Sequence, residues 1–212
     1  MYLANFKYQA PESVAEACEA LAKYGSRAKL ISGGTDIIVK MKKELLAPEI
    51  LVSIGQLPKL KEINYVKGKG LVIGACATHN SVMNSKLVQE KYLSVAQAAH
   101  QMAHNQVRNL GTVGGNICNA VPSADLPPIL IALGATVTIE GTKGERSLPL
   151  EDVFVGPGQT SLESDEILTE FIIPDGKFTG STYIKFGLRE SGALAVVGVA
   201  SAVETDGKVI KS

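Results

Sequence analysis

The sequence predicts an α+β protein of two lobes, a small α/β N-terminal lobe and a larger lobe built on a mixed or antiparallel sheet. Three observations carry this. Hairpin turns are interspersed with helical segments, without the regular βαβ alternation of a doubly wound nucleotide fold. Two serine capping boxes, Ser13 with Glu16 and Ser94 with Gln97, mark helix starts. The 212 residues are 45% hydrophobic, enough for one large domain or for two lobes sharing an interface. The border is expected near Ser53 to Leu60, dividing the chain into 1–56 and 57–212.

In chain order, Ser13 opens a helix over Val14 to Tyr24 with Val14, Ala17, Cys18 and Leu21 on its apolar face, and Gly25 stops it. Lys29 to Ser32 reads as a short buried strand ending on Gly33-Gly34, with a helix or turn over Asp36 to Lys43. Leu51 to Ile54, Ile63 to Val66 and Leu71 to Gly74 read as strands, the last two a hairpin about Lys67 to Gly70. A helix follows from Ser81. Another starts at Ser94, turns Val95, Ala98, Ala99 and Met102 inward, and ends before Asn109.

Pro127-Pro128 opens a short apolar helix through Leu133, closed by Gly134 before a strand at Ala135 to Glu140 and a turn at Gly141 to Gly144. Strands are expected at Ile167 to Ile173, Ser181 to Leu188 and Leu194 to Val203. Asp206-Gly207 then begins a hairpin whose return strand is expected to be cut off at Ser212.

Charge and composition exclude several functions. Lys plus Arg equals Asp plus Glu, both 21, so no net field draws the chain to nucleic acid or to an anionic membrane, and a charged ligand must be met by local groups. No apolar run reaches membrane-spanning length and the N-terminus has no signal pattern, which predicts a soluble, cytoplasmic protein. Cys18, Cys76 and Cys118 lie too far apart for a disulfide framework or a cluster site and read as ordinary thiols. His100 and His104 are spaced as helical metal ligands, but only His79 is left to join them and no HExxH glutamate accompanies them. No metal site is assigned, and no catalytic residue.

Two glycine-centred segments carry the chemistry. A dinucleotide pyrophosphate can be held by backbone N–H groups of glycine turns, where no side chain blocks approach. SGGTD, Ser32 to Asp36, offers such a turn at a strand end, with the Ser32 and Thr35 hydroxyls as further donors. TVGGN repeats the pattern with Gly111, Thr112, Gly114, Gly115 and Asn116. Either alone is also an ordinary tight turn. Neither fits GxGxxG after a strand, and no GxxxxGK[ST] occurs, so the NAD-fingerprint and P-loop readings lack their spacing.

Together with their surroundings, KLISGGTDIIVKMK from Lys29 and QVRNLGTVGGNICNAVPSADLPPILIALGATVTI from Gln106, and with the late Lys185 to Arg189 segment, these motifs resemble the FAD-binding subunit of the molybdenum hydroxylases. That family includes xanthine dehydrogenase and aerobic carbon monoxide dehydrogenase. The resemblance implies the two-lobed FAD-binding fold of vanillyl-alcohol oxidase (PCMH) type. It places Lys29, Leu30, Ile31, Ser32, Gly33, Gly34, Thr35, Asp36 and Ile37 around the pyrophosphate and ribityl. Gly111, Thr112, Val113, Gly114, Gly115 and Asn116 would hold the diphosphate from the other side. It sets Asp125 near the ribityl and ring, Met102 near the flavin, Ile167 or Leu168 at the adenine end, and Lys185 in the flavin site. From the residues alone, Asp125 reads equally as a helix cap and Lys185 as a solvated strand residue.

The resemblance further implies an electron-transfer subunit, passing electrons from [2Fe-2S] clusters through FAD to an acceptor such as NAD. Molybdopterin would sit on a large partner subunit and the iron–sulfur clusters on a small one. The segment Arg189-Glu190-Ser191-Gly192-Ala193-Leu194 that follows the late lysine leaves the acceptor open. The chain lacks a four-cysteine insertion; the resemblance implies a further C-terminal domain, expected to be missing from these residues through truncation or cleavage or because the remainder is not included. The rival readings are a stand-alone flavin oxidase or reductase of the same fold and a flavin-free interaction fragment.

Overall fold

A computed structural model describes residues 3–176 and 178–212; Met1 and Tyr2, at the start of the predicted first lobe, and Lys177 lie outside the described residues. The first sheet is parallel, in the order β1-β3-β2: β1 (Lys7–Gln9), β2 (Ala28–Ile31) and β3 (Ile50–Ser53), with Lys7 and Ala28 both opposite Ile50. The central strand β3 is buried throughout, in keeping with its apolar Ile50-Leu51-Val52 run. Helix α1 (Val14–Tyr24) crosses between β1 and β2, and the short α2 (Ile37–Lys42) between β2 and β3.

Helix α1 forms as expected. Ser13 Oγ accepts from Glu16 N at 3.2 Å, although the glutamate's return bond goes to Glu12 N (3.0 Å) and not to Ser13 N. Its Ala17, Cys18, Ala20 and Leu21 pack with Val52, Ile54, Leu57, Cys76 and Ile167 in one core.

The second sheet is antiparallel, in the order β4-β5-β10-β6-β7: β4 (Ile63–Val66), β5 (Gly70–Gly74), β6 (Thr136–Gly141), β7 (Gly144–Pro149) and, after the small hairpin β8 (Phe154–Gly156)–β9 (Gln159–Thr160), β10 (Ile167–Ile173). Against it pack α3 (His79–Asn84), α4 (Lys86–Lys91), α5 (Leu93–Gln101), α7 (Val113–Cys118) and α8 (Leu126–Ala132), around Leu71, Val113, Ile117, Leu130, Ile139 and Phe171, while α6 (Asn105–Leu110) buries none of its residues and lies on α3. A last antiparallel pair, β11 (Gly180–Gly187) and β12 (Ala195–Val203), lies on α5 and α8. The Asp206-Gly207 turn is present, its carboxylate accepting from Lys208 and Val209 N–H (both 3.0 Å), and the return is a single bridge, Thr205 to Ile210.

Three sequence expectations need correction. Ser94 does not cap a helix: α5 starts one residue earlier behind Tyr92, and the buried Ser94 hydroxyl bonds Ser181 at 2.8 Å. The helix is not continuous to Asn109, because Ala103 turns to φ 45° and separates α5 from α6, leaving Met102 half-buried at the break. TVGGN is not an open loop but the start of α7, with Thr112 as its cap.

Candidate functional site

The first glycine motif leaves β2 at Ile31, and α2 begins again at Ile37. Among the described residues, the backbone N–H groups of Ser32, Gly33, Gly34, Thr35, Asp36 and Ile37 have no hydrogen-bond partner. A run of half-buried amides left open is costly for a fold unless solvent or a ligand takes them. Gly34, at φ 76°, adopts the left-handed conformation that lets successive N–H groups converge. Behind the turn, Ser32 Oγ donates to the buried Cys76 Sγ at 3.2 Å, so this hydroxyl faces the protein.

The second motif does different work. The Val113 and Gly114 N–H groups donate to Ala77 and Ala75 carbonyls (3.0 and 2.8 Å), Gly115 N–H to Thr112 Oγ1 (3.1 Å) and Asn116 N–H to the Thr112 carbonyl (2.9 Å). These four amides are already satisfied. A Cβ on Gly114 would lie 2.8 Å from both Ala75 Cβ and its carbonyl oxygen, so this glycine seats α7 against the end of β5. Gly115 is exposed on the other face. Asn116 Oδ1 is buried with no partner among the described residues, an acceptor in want of a hydroxyl or amine donor.

The two motifs touch directly. A Cβ on Gly33 would fall 1.8 Å from the Leu110 carbonyl oxygen and 3.2 Å from Gly111 Cα. Gly33 is therefore required by backbone contact between the motifs, which the ligand-cradle reading alone does not anticipate. Asn119, at the end of α7, completes the junction by donating to Asp36 (2.9 Å) while accepting from Lys40 (2.8 Å).

A second group lies between α5, α8 and β11. Asp125 is 4% exposed; Lys185 Nζ donates to its Oδ2 at 2.9 Å and to the Gln101 carbonyl at 3.2 Å, and Tyr183 Oη donates to its Oδ1 at 2.8 Å. The capping alternative for Asp125 fails, since its side chain makes no cap bond to α8. The solvated reading of Lys185 fails too, its side chain being 9% exposed. Tyr183 was not anticipated, although strand alternation puts it on the same face as Lys185; burial, then the Asp125 carboxylate, push its phenol well above the ordinary range. Met102 connects this group to the motifs, its Cε 3.3 Å from the place of a Cβ on Gly111. Lys29 is exposed on β2, while Ile167 and Leu168 are buried in β10 on opposite sides of the sheet, in the first and second cores respectively.

Of the remaining candidates, the described residues contain no group of three or more His, Cys, Asp or Glu placed for a metal, and the break after α5 takes His104 off the helix that carries His100. Cys118 is solvent-exposed on α7, and its surroundings raise the thiol above the ordinary range. His79 is 1% exposed beneath Gly111, its backbone N–H bonded to the Gly111 carbonyl and its Nδ1 unpartnered among the described residues. Burial, and secondarily Arg108, lower its pKa from 6.5 to about 4.

Because this pKa is depressed in the fold, the unfolded chain takes up the proton first, and stability falls as pH drops from about 6.5 toward 4. The loss is about 1.4 kcal/mol for each pH unit in that window. His79→Leu is expected to remove this slope; denaturation midpoints at pH 7 and pH 5 check it, and an unchanged acid loss in the variant refutes it.

Packed glycine motifs with a row of free amides, near a buried carboxylate–ammonium pair, define a site for a phosphate-bearing cofactor on a two-lobed α+β scaffold. Residues 4–176 match the model of the FAD binding domain in molybdopterin dehydrogenase. The chain is 37% identical over 207 residues to the carbon monoxide dehydrogenase medium chain of Hydrogenophaga pseudoflava, covering 97% of this chain and 71% of that one. It is 31% identical to the xanthine dehydrogenase FAD-binding subunit of Escherichia coli O157:H7, over 94% of this chain and 68% of that subunit. A solved structure of the Hydrogenophaga pseudoflava carbon monoxide dehydrogenase superposes with a TM-score of 0.95 at 36% identity, covering all of this chain and 74% of that one.

The chain belongs to the family of FAD-binding domains of molybdopterin dehydrogenases. It is thus a flavoprotein subunit of an oxidoreductase, with FAD as its cofactor and the PCMH-type fold. The residues present fit that cofactor: free amides for the pyrophosphate, and a buried unpaired acceptor at Asn116 for a donor such as a hydroxyl.

Proposed function

We propose that the chain is the electron-transfer subunit of a multi-subunit molybdenum hydroxylase, receiving electrons from a [2Fe-2S] small subunit and delivering them to an acceptor such as NAD. A molybdopterin-binding large subunit would carry the substrate chemistry. The observation that carries this reading is the run of six unpartnered amides from Ser32 to Ile37, held against Gly111 by the contact at Gly33. FAD supplies the redox chemistry when bound.

The protein's own part is to bind and orient. The Ser32–Ile37 amides take the pyrophosphate, with Lys29, Leu30 and Ile31 delivering the turn and Thr35 adding a hydroxyl. Gly111, Thr112, Val113, Gly114 and Gly115 form the opposing wall, and Asn116 Oδ1 accepts from the ribityl or ribose. Asp125, Met102 and Lys185 border the ring, while Ile167 or Leu168 backs the adenine end. Since Lys185 is spent largely on Asp125, the pair presents little net charge to the ring, less than a lone cation would. Among the described residues no helix is long and apolar enough to cross a membrane. A cytoplasmic location is part of the proposal.

Incubating the purified chain with FAD, removing unbound flavin and recording the visible spectrum tests the reading. One flavin per chain is expected, and a folded chain that stays colourless overturns it. Co-purification with an iron–sulfur and a molybdopterin subunit is expected when the neighbouring subunits are present.

A further inference from the structure

We infer that Asn119 is a positioning residue for cofactor binding, a latch that holds the Asp36 carboxylate away from the amides of its own loop. Asp36 precedes α2 with a helical backbone (φ −99°, ψ −48°), and a carboxylate there is drawn to bond the open amides of the first turn and of its own loop. It makes no such bond here. Its Oδ1 accepts from Asn119 Nδ2 at 2.9 Å, its Oδ2 from the Thr35 hydroxyl at 3.4 Å, and the N–H groups of Ser32 to Ile37 stay open.

Asn119 is well placed for this. Its amide is fixed in one orientation, because Lys40 Nζ donates to Oδ1 at 2.8 Å while Nδ2 donates to a carboxylate, an arrangement the flipped amide would forbid. The ammonium polarises the amide and strengthens its donation to Asp36. Its backbone is anchored as the C-cap of α7, bonded to the Gly115 and Ile117 carbonyls, and Ala120 follows at φ 47° with its carbonyl held by Gly158 N–H. A backbone-anchored amide at the end of α7 thus restrains an exposed anion on the first motif, 83 residues away in sequence.

Released from Asn119, Asp36 is free to turn back onto its own loop and occupy donors that an incoming phosphate needs, besides repelling it. Asn119 therefore acts on binding through Asp36 and touches no reacting atom. This rests on the assignment of the Ser32–Ile37 amides to the pyrophosphate, so its test has two arms.

In the cofactor-free chain, Asn119→Ala is expected to slow hydrogen exchange of the Ile37 and Val39 amides, as the freed carboxylate turns back onto the first turn of α2, the Ile38 amide being already bonded to the Gly34 carbonyl; unchanged or faster exchange of those two overturns the latch whether or not FAD binds. In FAD titrations, Asn119→Ala is expected to weaken affinity about ten-fold. Asp36→Ala in that background is expected to recover most of the loss. Wild-type affinity in Asn119→Ala, or losses that simply add in the double variant, refute the latch. Failure of the wild-type chain to take up FAD refutes the flavin assignment instead, and the exchange arm still decides the latch.

Discussion

Gly33→Ala is expected to unseat the contact between the two glycine motifs and to abolish FAD binding, with a stability loss of about 3 kcal/mol or more. The new Cβ would stand 1.8 Å from the Leu110 carbonyl oxygen and 2.7 Å from its carbon. Both are backbone atoms, so no rotamer change relieves the overlap; either β2 or the turn after α6 has to move. The turn is not free to do so: Gly111 N–H is bonded to Val107, its carbonyl to His79 N–H, and Arg108 is tied to the Met102 and Ala103 carbonyls. Displacing the Ser32–Ile37 segment opens the row of amides in turn. Chemical denaturation and FAD titration of the variant check this together, and wild-type stability would refute the contact. Gly115→Ala makes the comparison sharp, since its Cβ would meet only the Thr112 hydroxyl, at 3.0 Å, and a much smaller stability loss is expected.

The role of Gly33 shows which parts of the molecule could be read in advance. Helix α1 was legible because its signals are local: Ser13, Glu16 and Gly25 act within a turn of the residues they govern. Strand β10, Ile167–Ile173, was legible because a strand buried in mid-sheet is rich in β-branched and apolar residues, here interrupted only by Thr169 and Glu170. Where long-range partners decide, the sequence misled. Ser94 has the pattern of a cap, but Ser181 claims its hydroxyl. Glycine pairs disfavour helix, yet Gly114 and Gly115 form one because the Ala75 and Ala77 carbonyls receive the first amides of α7. Ala103 gives no hint of its positive φ, which the Arg108 guanidinium supports from six and five residues downstream.

The site divides in the same way. The motifs pointed to a backbone cradle, but which of the two leaves its amides free depends on Ala75 and Ala77, residues outside both. Strand alternation from Lys185 was enough to find Tyr183, whereas nothing local marks Asn119, whose partners Asp36 and Lys40 belong to the other motif. Residue types that suit a cofactor were visible; the pairing that decides their availability was not.

Lys185→Met is expected to cost about 3 to 5 kcal/mol, because it strands a carboxylate that is only 4% exposed. Of the donors to Asp125, Tyr183 would remain and Lys185 Nζ, at 2.9 Å, would be lost. The pair itself contributes far less than that loss, since burying both charges consumes most of their attraction. Lys185→Met with Asp125→Asn is therefore expected to recover most of the stability, the neutral amide still accepting from Tyr183. Urea denaturation of the single and double variants decides: a double variant that stays as unstable as Lys185→Met would mean that Lys185 stabilises the fold through its methylene chain, with no uncompensated charge left behind on Asp125.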